Sequence, residues 1–189
     1  MDILNGLVLT GGKSSRMGSD KGKLVYHRLP HSEYIFNALR SVCDNVYFSD
    51  AKDAKDRPNS IRDQFDIEGP LNGILSAFQY SPETAWLIVA VDMPLVDSAV
   101  FKFLKARRER SKIATCFYNA DRGSPEPLLT IWEPAAFPLL QKFYHAGRLS
   151  PRDFLKENDI NLLVPENPKV LLNVNTPEDF QKFSDPVQD

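Results

Sequence analysis

Cysteine is scarce: Cys43 and Cys116 are the two in 189 residues, and they share no metal-ligand spacing. That excludes a zinc ribbon and a disulfide framework, and it points to reduced thiols in a cytoplasmic protein. Long apolar runs are missing too. The longest, residues 85–91, is far short of the roughly 20 residues a bilayer-spanning helix requires. The opening Met-Asp-Ile-Leu-Asn lacks the basic flank of a secretion signal, so neither export nor membrane insertion is expected. There is no excess of positive charge: the net charge is −2 and the pI about 5.9, which argues against nucleic acid or an acidic membrane as a partner. His27, His31 and His145 are scattered, and no Ser-His-Asp or Cys-His arrangement suggests a nucleophilic triad. Repeats and low-complexity segments are absent. A chain of this length with 42% hydrophobic residues can bury one sizeable core. A single domain over 1–189 is expected, fraying from about residue 184.

What the chain does have is an apolar run, residues 3–9, broken at Gly11-Gly12 and followed by a stretch rich in Gly, Ser, Lys and Arg. This reads as a strand followed by a cationic loop. Lys13, Arg16, Lys21, Lys23 and Arg28 face a single acid, Asp20, so positive charge is local and suits a small anion. Glycines let backbone N–H groups approach a ligand, and the cations match phosphate oxygens. The loop is neither a Walker A motif, because Gly12 stands where the lysine belongs, nor a dinucleotide fingerprint, because Gly11, Gly12 and Gly18 miss its spacing.

Helix periodicity follows at 33–42, a second strand at 45–49, and a short strand at 60–63 ending in an acid, Asp63. Gly69 and Pro70 suit the start of a helix as N-cap and first helical residue. Gly73 inside that helix costs about 1 kcal/mol relative to alanine, which implies either a ligand near the first turn or tight packing on the sheet. Residues 85–91 form the clearest buried strand, suited to the centre of a parallel sheet. Asp97 can cap the following helix, which leaves Asp92 at the carboxyl end of a central strand, where open α/β sheets place ligands or metal. A helix at 101–110, antiparallel strands at 113–118 and 127–132, and helices at 135–145 and 150–157 come next. Residues 170–175 read as a last strand that puts Asn173 and Asn175 on one face, with a capped helix after it.

Four motifs occur in order: Gly-Gly-x-Ser-x-Arg-Met-Gly-x-Asp-Lys, Gly-Pro-Leu-x-Gly-Ile, Val-Asp-Met-Pro and Asn-Val-Asn-Thr-Pro-Glu. Together they closely resemble the molybdenum cofactor guanylyltransferase family over nearly the whole chain. The resemblance implies a single Rossmann-like α/β domain of the nucleotide-diphospho-sugar transferase type, with a mostly parallel sheet and helices on both faces. It implies a reaction in which GTP and molybdopterin cofactor give the guanine dinucleotide form and pyrophosphate, with Mg²⁺. By position, Leu9, Thr10, Gly11 and Gly12 would contact GTP, Lys21 its phosphates, and Asp63 the nucleotide. Asp92 would hold Mg²⁺ as well as GTP, and Asn173 and Asn175 would face molybdopterin. The family's nucleotide-contacting asparagine after the second strand has no counterpart in Ser49-Asp50-Ala51.

The chemistry agrees with this inventory. A terminal phosphate with a second pKa of about 6 is largely ionised at neutral pH, so no general base is needed. Alignment and charge neutralisation are needed, and Arg16, Lys21, backbone amides and a metal at Asp92 suit that work. Cytidylyl transfer, another phosphate acceptor, or a non-catalytic cofactor carrier are the competing readings. Molybdoenzyme apoproteins and other cofactor-synthesis proteins are the partners such a product implies.

Overall fold

The computed structural model describes residues 2–10 and 30–174. Its strands are β1 (Leu4–Leu9), β2 (Asn45–Asp50), β3 (Ser60–Arg62), β4 (Ala85–Ala90), β5 (Ala114–Asn119), β6 (Ser124–Trp132) and β7 (Asn161–Leu163). All join one sheet in the order β3-β2-β1-β4-β6-β5-β7. Of these, β6 alone is reversed: it pairs antiparallel with β4 and β5, and the other pairings are parallel. The helices are α1 (His31–Leu39), α2 (Pro70–Tyr80), α3 (Ser98–Ala106), α4 (Ala136–His145) and α5 (Pro151–Lys156).

Alternation along β4 explains why its sequence is apolar throughout. Leu87 and Val89 enter a core with Ile35 and Leu39 of α1 and Phe101 and Leu104 of α3. Trp86 and Ile88 enter a second core with Ile74 and Phe78 of α2, Leu140 of α4 and Phe154 of α5. Successive side chains point to opposite faces, and here both faces are covered by helices. Every residue of β1 and β4 is buried. No helix among the described residues is long and apolar enough to cross a membrane.

The helix starts follow their caps. The Asp97 side chain accepts from the backbone N–H groups of Ala99 and Val100, so α3 begins at Ser98 rather than at 101. Ser150 does the same for α5, accepting from Asp153 N–H at 3.2 Å. β6 starts at Ser124 rather than 127, and the edge strand β7 is additional to the sequence-based elements.

The expected strand at 170–175 is corrected. Residues Pro168–Leu171 form a 3-10 turn, because Pro168 occupies the first helical position and the Asn167 side chain caps it at Lys169 N–H, 3.1 Å away. Leu172 is extended, and residues 172–174 join no strand ladder. Val174 N–H donates to the Asp92 carbonyl at 2.7 Å, which ties this segment to the end of β4.

Candidate functional site

β3, β2, β1 and β4 are parallel, so their carboxyl ends share one edge of the sheet. Chain order runs outward from β1 in both directions, and the crevice at such a reversal is where open α/β sheets bind ligands. Leu9 and Thr10 end β1, Asp50 ends β2, Asp63 follows β3, and Asp92 follows β4. The reversed strand β6 begins at this same edge and adds Glu126 to the row.

The β1–β3 half is a connected polar network. Arg57 donates from Nε to Asp50 Oδ2 at 2.7 Å and from Nη2 to Asp50 Oδ1. Ser60 Oγ donates to Asp50 Oδ2 at 2.6 Å. The Thr10 hydroxyl lies 2.6 Å from the Ser49 carbonyl and 3.0 Å from Asp50 Oδ1, and it accepts from Arg57 Nη2 at 3.0 Å. The guanidinium also stacks 3.7 Å over the Phe48 ring, a cation–π contact. Burial works against the Asp50 charge, yet the Arg57, Ser60 and Thr10 contacts outweigh it and hold the carboxyl below its usual range.

Asp63 has the opposite fate. Its backbone N–H donates to the Asp50 carbonyl at 2.9 Å, which brings two carboxylates near each other. Burial first, then repulsion from Asp50, push its pKa up to about 6, with the Ser49 hydroxyl opposing. Among the described residues its buried Oδ1 has no hydrogen-bond partner. An acceptor left bare in a cleft is suited to a ligand's N–H or O–H donor.

Helix α2 packs unusually close to this network. A Cβ on Gly73 would meet Ser49 Oγ at 2.5 Å and Leu9 Cδ2 at 2.6 Å. Of the two readings open from sequence, tight helix-on-sheet packing therefore accounts for this glycine. Gly69 caps the helix at φ 98° with Pro70 behind it, a conformation that favours glycine. The Asn72 side chain is committed to the preceding loop, accepting from Phe65 N–H at 3.1 Å and donating to the Phe65 and Ile67 carbonyls at 2.6 and 2.8 Å.

At the end of β4, Asn173 Nδ2 donates to Asp92 Oδ2 at 3.4 Å. The buried Asn173 Oδ1 has no partner among the described residues. His31 of α1 donates from Nε2 to the Met93 carbonyl at 3.1 Å, fixing the turn that carries Asp92. Glu126 is fully buried, with Arg122 Nη1 at 3.5 Å and Arg152 Nη2 at 4.0 Å from its Oε2. Burial raises its pKa, and the Asp92 charge adds to that; the Leu128 amide and both arginines oppose it.

For a divalent cation the donor set is open rather than enclosed. Among the described residues no three His, Cys, Asp or Glu side chains form a metal cage. A carboxylate at Asp92 and a bare amide oxygen at Asn173 are hard oxygen donors. This fits Mg²⁺, which typically takes one or two carboxylates and fills its remaining positions with water and substrate phosphate.

Of the residues singled out from sequence, Leu9, Thr10 and Asp63 lie on the β1–β3 half, and Asp92 and Asn173 are in contact on the β4 half. Gly11, Gly12, Arg16, Lys21 and Asn175 lie outside the described residues. Sequence reading missed the Asp50–Arg57 pair, which stands where the family asparagine was sought, and also the Glu126–Arg122–Arg152 cluster. A glutamate inside the apolar segment 125–132, four residues after an arginine, was the available signal for the latter.

Comparison with known proteins agrees with this geometry. The chain is 37% identical, over 96% of its length, to the molybdenum cofactor biosynthesis bifunctional protein of Synechocystis, and it spans 54% of that protein. It is 30% identical to the molybdenum cofactor guanylyltransferase of Pseudomonas fluorescens, covering 91% of this chain and 89% of that one. In three dimensions it resembles molybdopterin-guanine dinucleotide biosynthesis protein A of Archaeoglobus fulgidus, with a TM-score of 0.76 at 20% identity over 95% of this chain and 96% of that one. Residues 6–161 match the family model described as the MobA-like NTP transferase domain. With more than half its length matched, and with acids at the ends of β3 and β4 around one crevice, the chain belongs to the MobA-like NTP transferase family.

Proposed function

We propose that this protein transfers GMP from GTP to the terminal phosphate of molybdopterin cofactor, giving the guanine dinucleotide cofactor and pyrophosphate, as one cytoplasmic domain over residues 1–189. The observation that carries this reading is the Asp92–Asn173 contact at the crevice between β1 and β4. It offers a carboxylate and a bare amide oxygen, hard donors of the kind that a metal ion bridging phosphate groups takes.

In this scheme an acceptor phosphate oxygen bonds to the α-phosphorus of GTP while the bond to the β-phosphate breaks and pyrophosphate leaves. The attacking oxygen is already ionised at neutral pH, so the protein aligns and neutralises rather than removing a proton. Asp92 and the Asn173 amide oxygen would hold Mg²⁺, which supplies charge neutralisation and Lewis-acid polarisation of phosphate oxygens when bound. Lys21 and Arg16 offset the triphosphate charge, and the backbone of Leu9, Thr10, Gly11 and Gly12 lies along the nucleotide. Asp63 accepts a hydrogen bond from the nucleoside. Asn173 and Asn175 orient the molybdopterin, and the product passes on to molybdoenzyme apoproteins.

Pyrophosphate release with purified molybdopterin cofactor and each of the four nucleoside triphosphates tests this. GTP is expected to exceed CTP and ATP by at least about tenfold in kcat/KM, a difference of about 1.4 kcal/mol. Equal or better turnover with CTP overturns the guanylyl assignment. Cofactor binding without any pyrophosphate release makes the protein a carrier.

A further inference from the structure

Glu126 is an unusual residue for the start of a core strand: its side chain is 0% exposed, yet neither arginine closes on it. The same fold shows what a closed pair looks like. Arg108 meets Glu133 through Nε–Oε1 at 2.6 Å and Nη2–Oε2 at 2.7 Å, with side chains 6% and 4% exposed. That fork is saturated and internal. At Glu126, Arg122 and Arg152 stand off at 3.5 and 4.0 Å and keep side-chain exposures of 38% and 34%. Both distances exceed the 2.7–2.9 Å typical of charge-assisted hydrogen bonds.

Two partly exposed guanidinium groups, each standing off from the one carboxylate, carry more N–H donors than Glu126 takes up. Arg152 Nε is buried and has no partner among the described residues. Asp92 lies close enough for its charge to act on Glu126. A phosphate arriving between two carboxylates needs a cation on its far side, and the planar guanidinium fork matches phosphate geometry.

We propose that Arg152, oriented by the buried Glu126 and flanked by Arg122, binds the terminal phosphate of the acceptor beside Asp92 and positions it for attack. Glu126 touches no substrate in this scheme and acts through the arginines as a positioning residue. A buried carboxylate fixes the direction of both side chains while its loose pairing leaves their outer donors free. The inference rests on the GMP-transfer reading for the identity of the acceptor.

The test is steady-state pyrophosphate release by Arg152→Ala, Arg152→Lys and Glu126→Gln, varying molybdopterin cofactor at saturating GTP and then GTP at saturating cofactor. Arg152→Ala is expected to raise the KM for the cofactor at least about tenfold with the KM for GTP within about twofold. Arg152→Lys should recover part of the loss, because it restores charge without the fork. Glu126→Gln should raise the cofactor KM alone, by less. A folded Arg152→Ala with a wild-type cofactor KM, or with both KM values raised alike, overturns the proposal. If Arg152→Ala does not fold, Arg152→Lys carries the same test through its cofactor KM. If the wild-type protein releases no pyrophosphate, the GMP-transfer reading fails. Retention of molybdopterin cofactor by the same variants on gel filtration without nucleotide then decides the clamp, with weakened retention by Arg152→Ala or Arg152→Lys supporting it and unchanged retention refuting it.

Discussion

Asp63 and Asp50 are neighbours treated in opposite ways, and the difference is a matter of partners. Asp50 has Arg57, Ser60 and Thr10, whereas Asp63 has the Ser49 hydroxyl set against burial and a nearby like charge, which lift its pKa from 3.8 to about 6. An acid with a raised folded-state pKa lowers stability as pH rises, because the unfolded chain releases its proton first. The stability is fully present below about pH 3.8 and is lost progressively towards pH 6, the two values between which this group titrates. Asp63→Asn removes that slope. The variant is expected to melt roughly 3–6 °C above wild type at pH 7.5 and to match it near pH 3.5, as followed by thermal unfolding across pH. Its KM for GTP should rise, since the amide is a poorer acceptor for a ligand donor, a trade of function against stability common at binding sites. Equal melting temperatures at pH 7.5 would show that burial and the nearby Asp50 charge do not raise the Asp63 pKa.

At the scale of elements, α2 is held where it is by what Gly73 lacks. Alanine there would gain about 1 kcal/mol of helix propensity, but its Cβ would overlap Ser49 Oγ and Leu9 Cδ2, and overpacking costs about 1–3 kcal/mol. Overpacking wins. Gly73→Ala is expected to lose up to about 2 kcal/mol in urea unfolding, the overpacking cost less the propensity gained. Because Ser49 moderates Asp63, the variant should also weaken GTP binding. Gain of stability would mean that Leu9 and Ser49 yield freely. The sequence could show that this glycine needed a reason, but not which one, because the close approach joins residues distant along the chain. The buried β4 and the Asp97 cap were legible because periodicity and capping are local. The segment before Asn173 was misread although its signals are local too: Val170, Leu171 and Leu172 look like a strand, and the apolar run outweighed the Asn167 cap and Pro168 that close a turn first. The Arg57–Asp50 and Arg152–Glu126 pairings escaped notice because a charge in a loop or at a helix start is usually solvated, and only the fold shows which carboxylate it meets.

For the whole molecule, strand order divides the crevice. Thr10, Asp50 and Asp63 stand over β1, β2 and β3, while Asp92, Glu126 and Asn173 stand over β4 and β6, so on the GMP-transfer reading the nucleoside and the acceptor lie over different halves of one sheet edge, with the triphosphate between them at Asp92. A fold built this way should show energetic independence between the halves and coupling within each. Contacting residues couple by about 0.5–3 kcal/mol, whereas separated sites add to within about 0.5 kcal/mol. The loss in kcat/KM for Asp63→Asn with Asn173→Ala should therefore equal the sum of the single losses, expressed as RT ln of the rate ratios. Asp92→Asn with Asn173→Ala should fall short of its sum, because those two side chains share a hydrogen bond at 3.4 Å and losing either already undoes it. Pyrophosphate-release kinetics on the single and double variants measure both cycles. Strong coupling of Asp63 to Asn173 would mean that nucleotide and acceptor are read by one continuous pocket, and the division of the crevice by strand order would then have no energetic content.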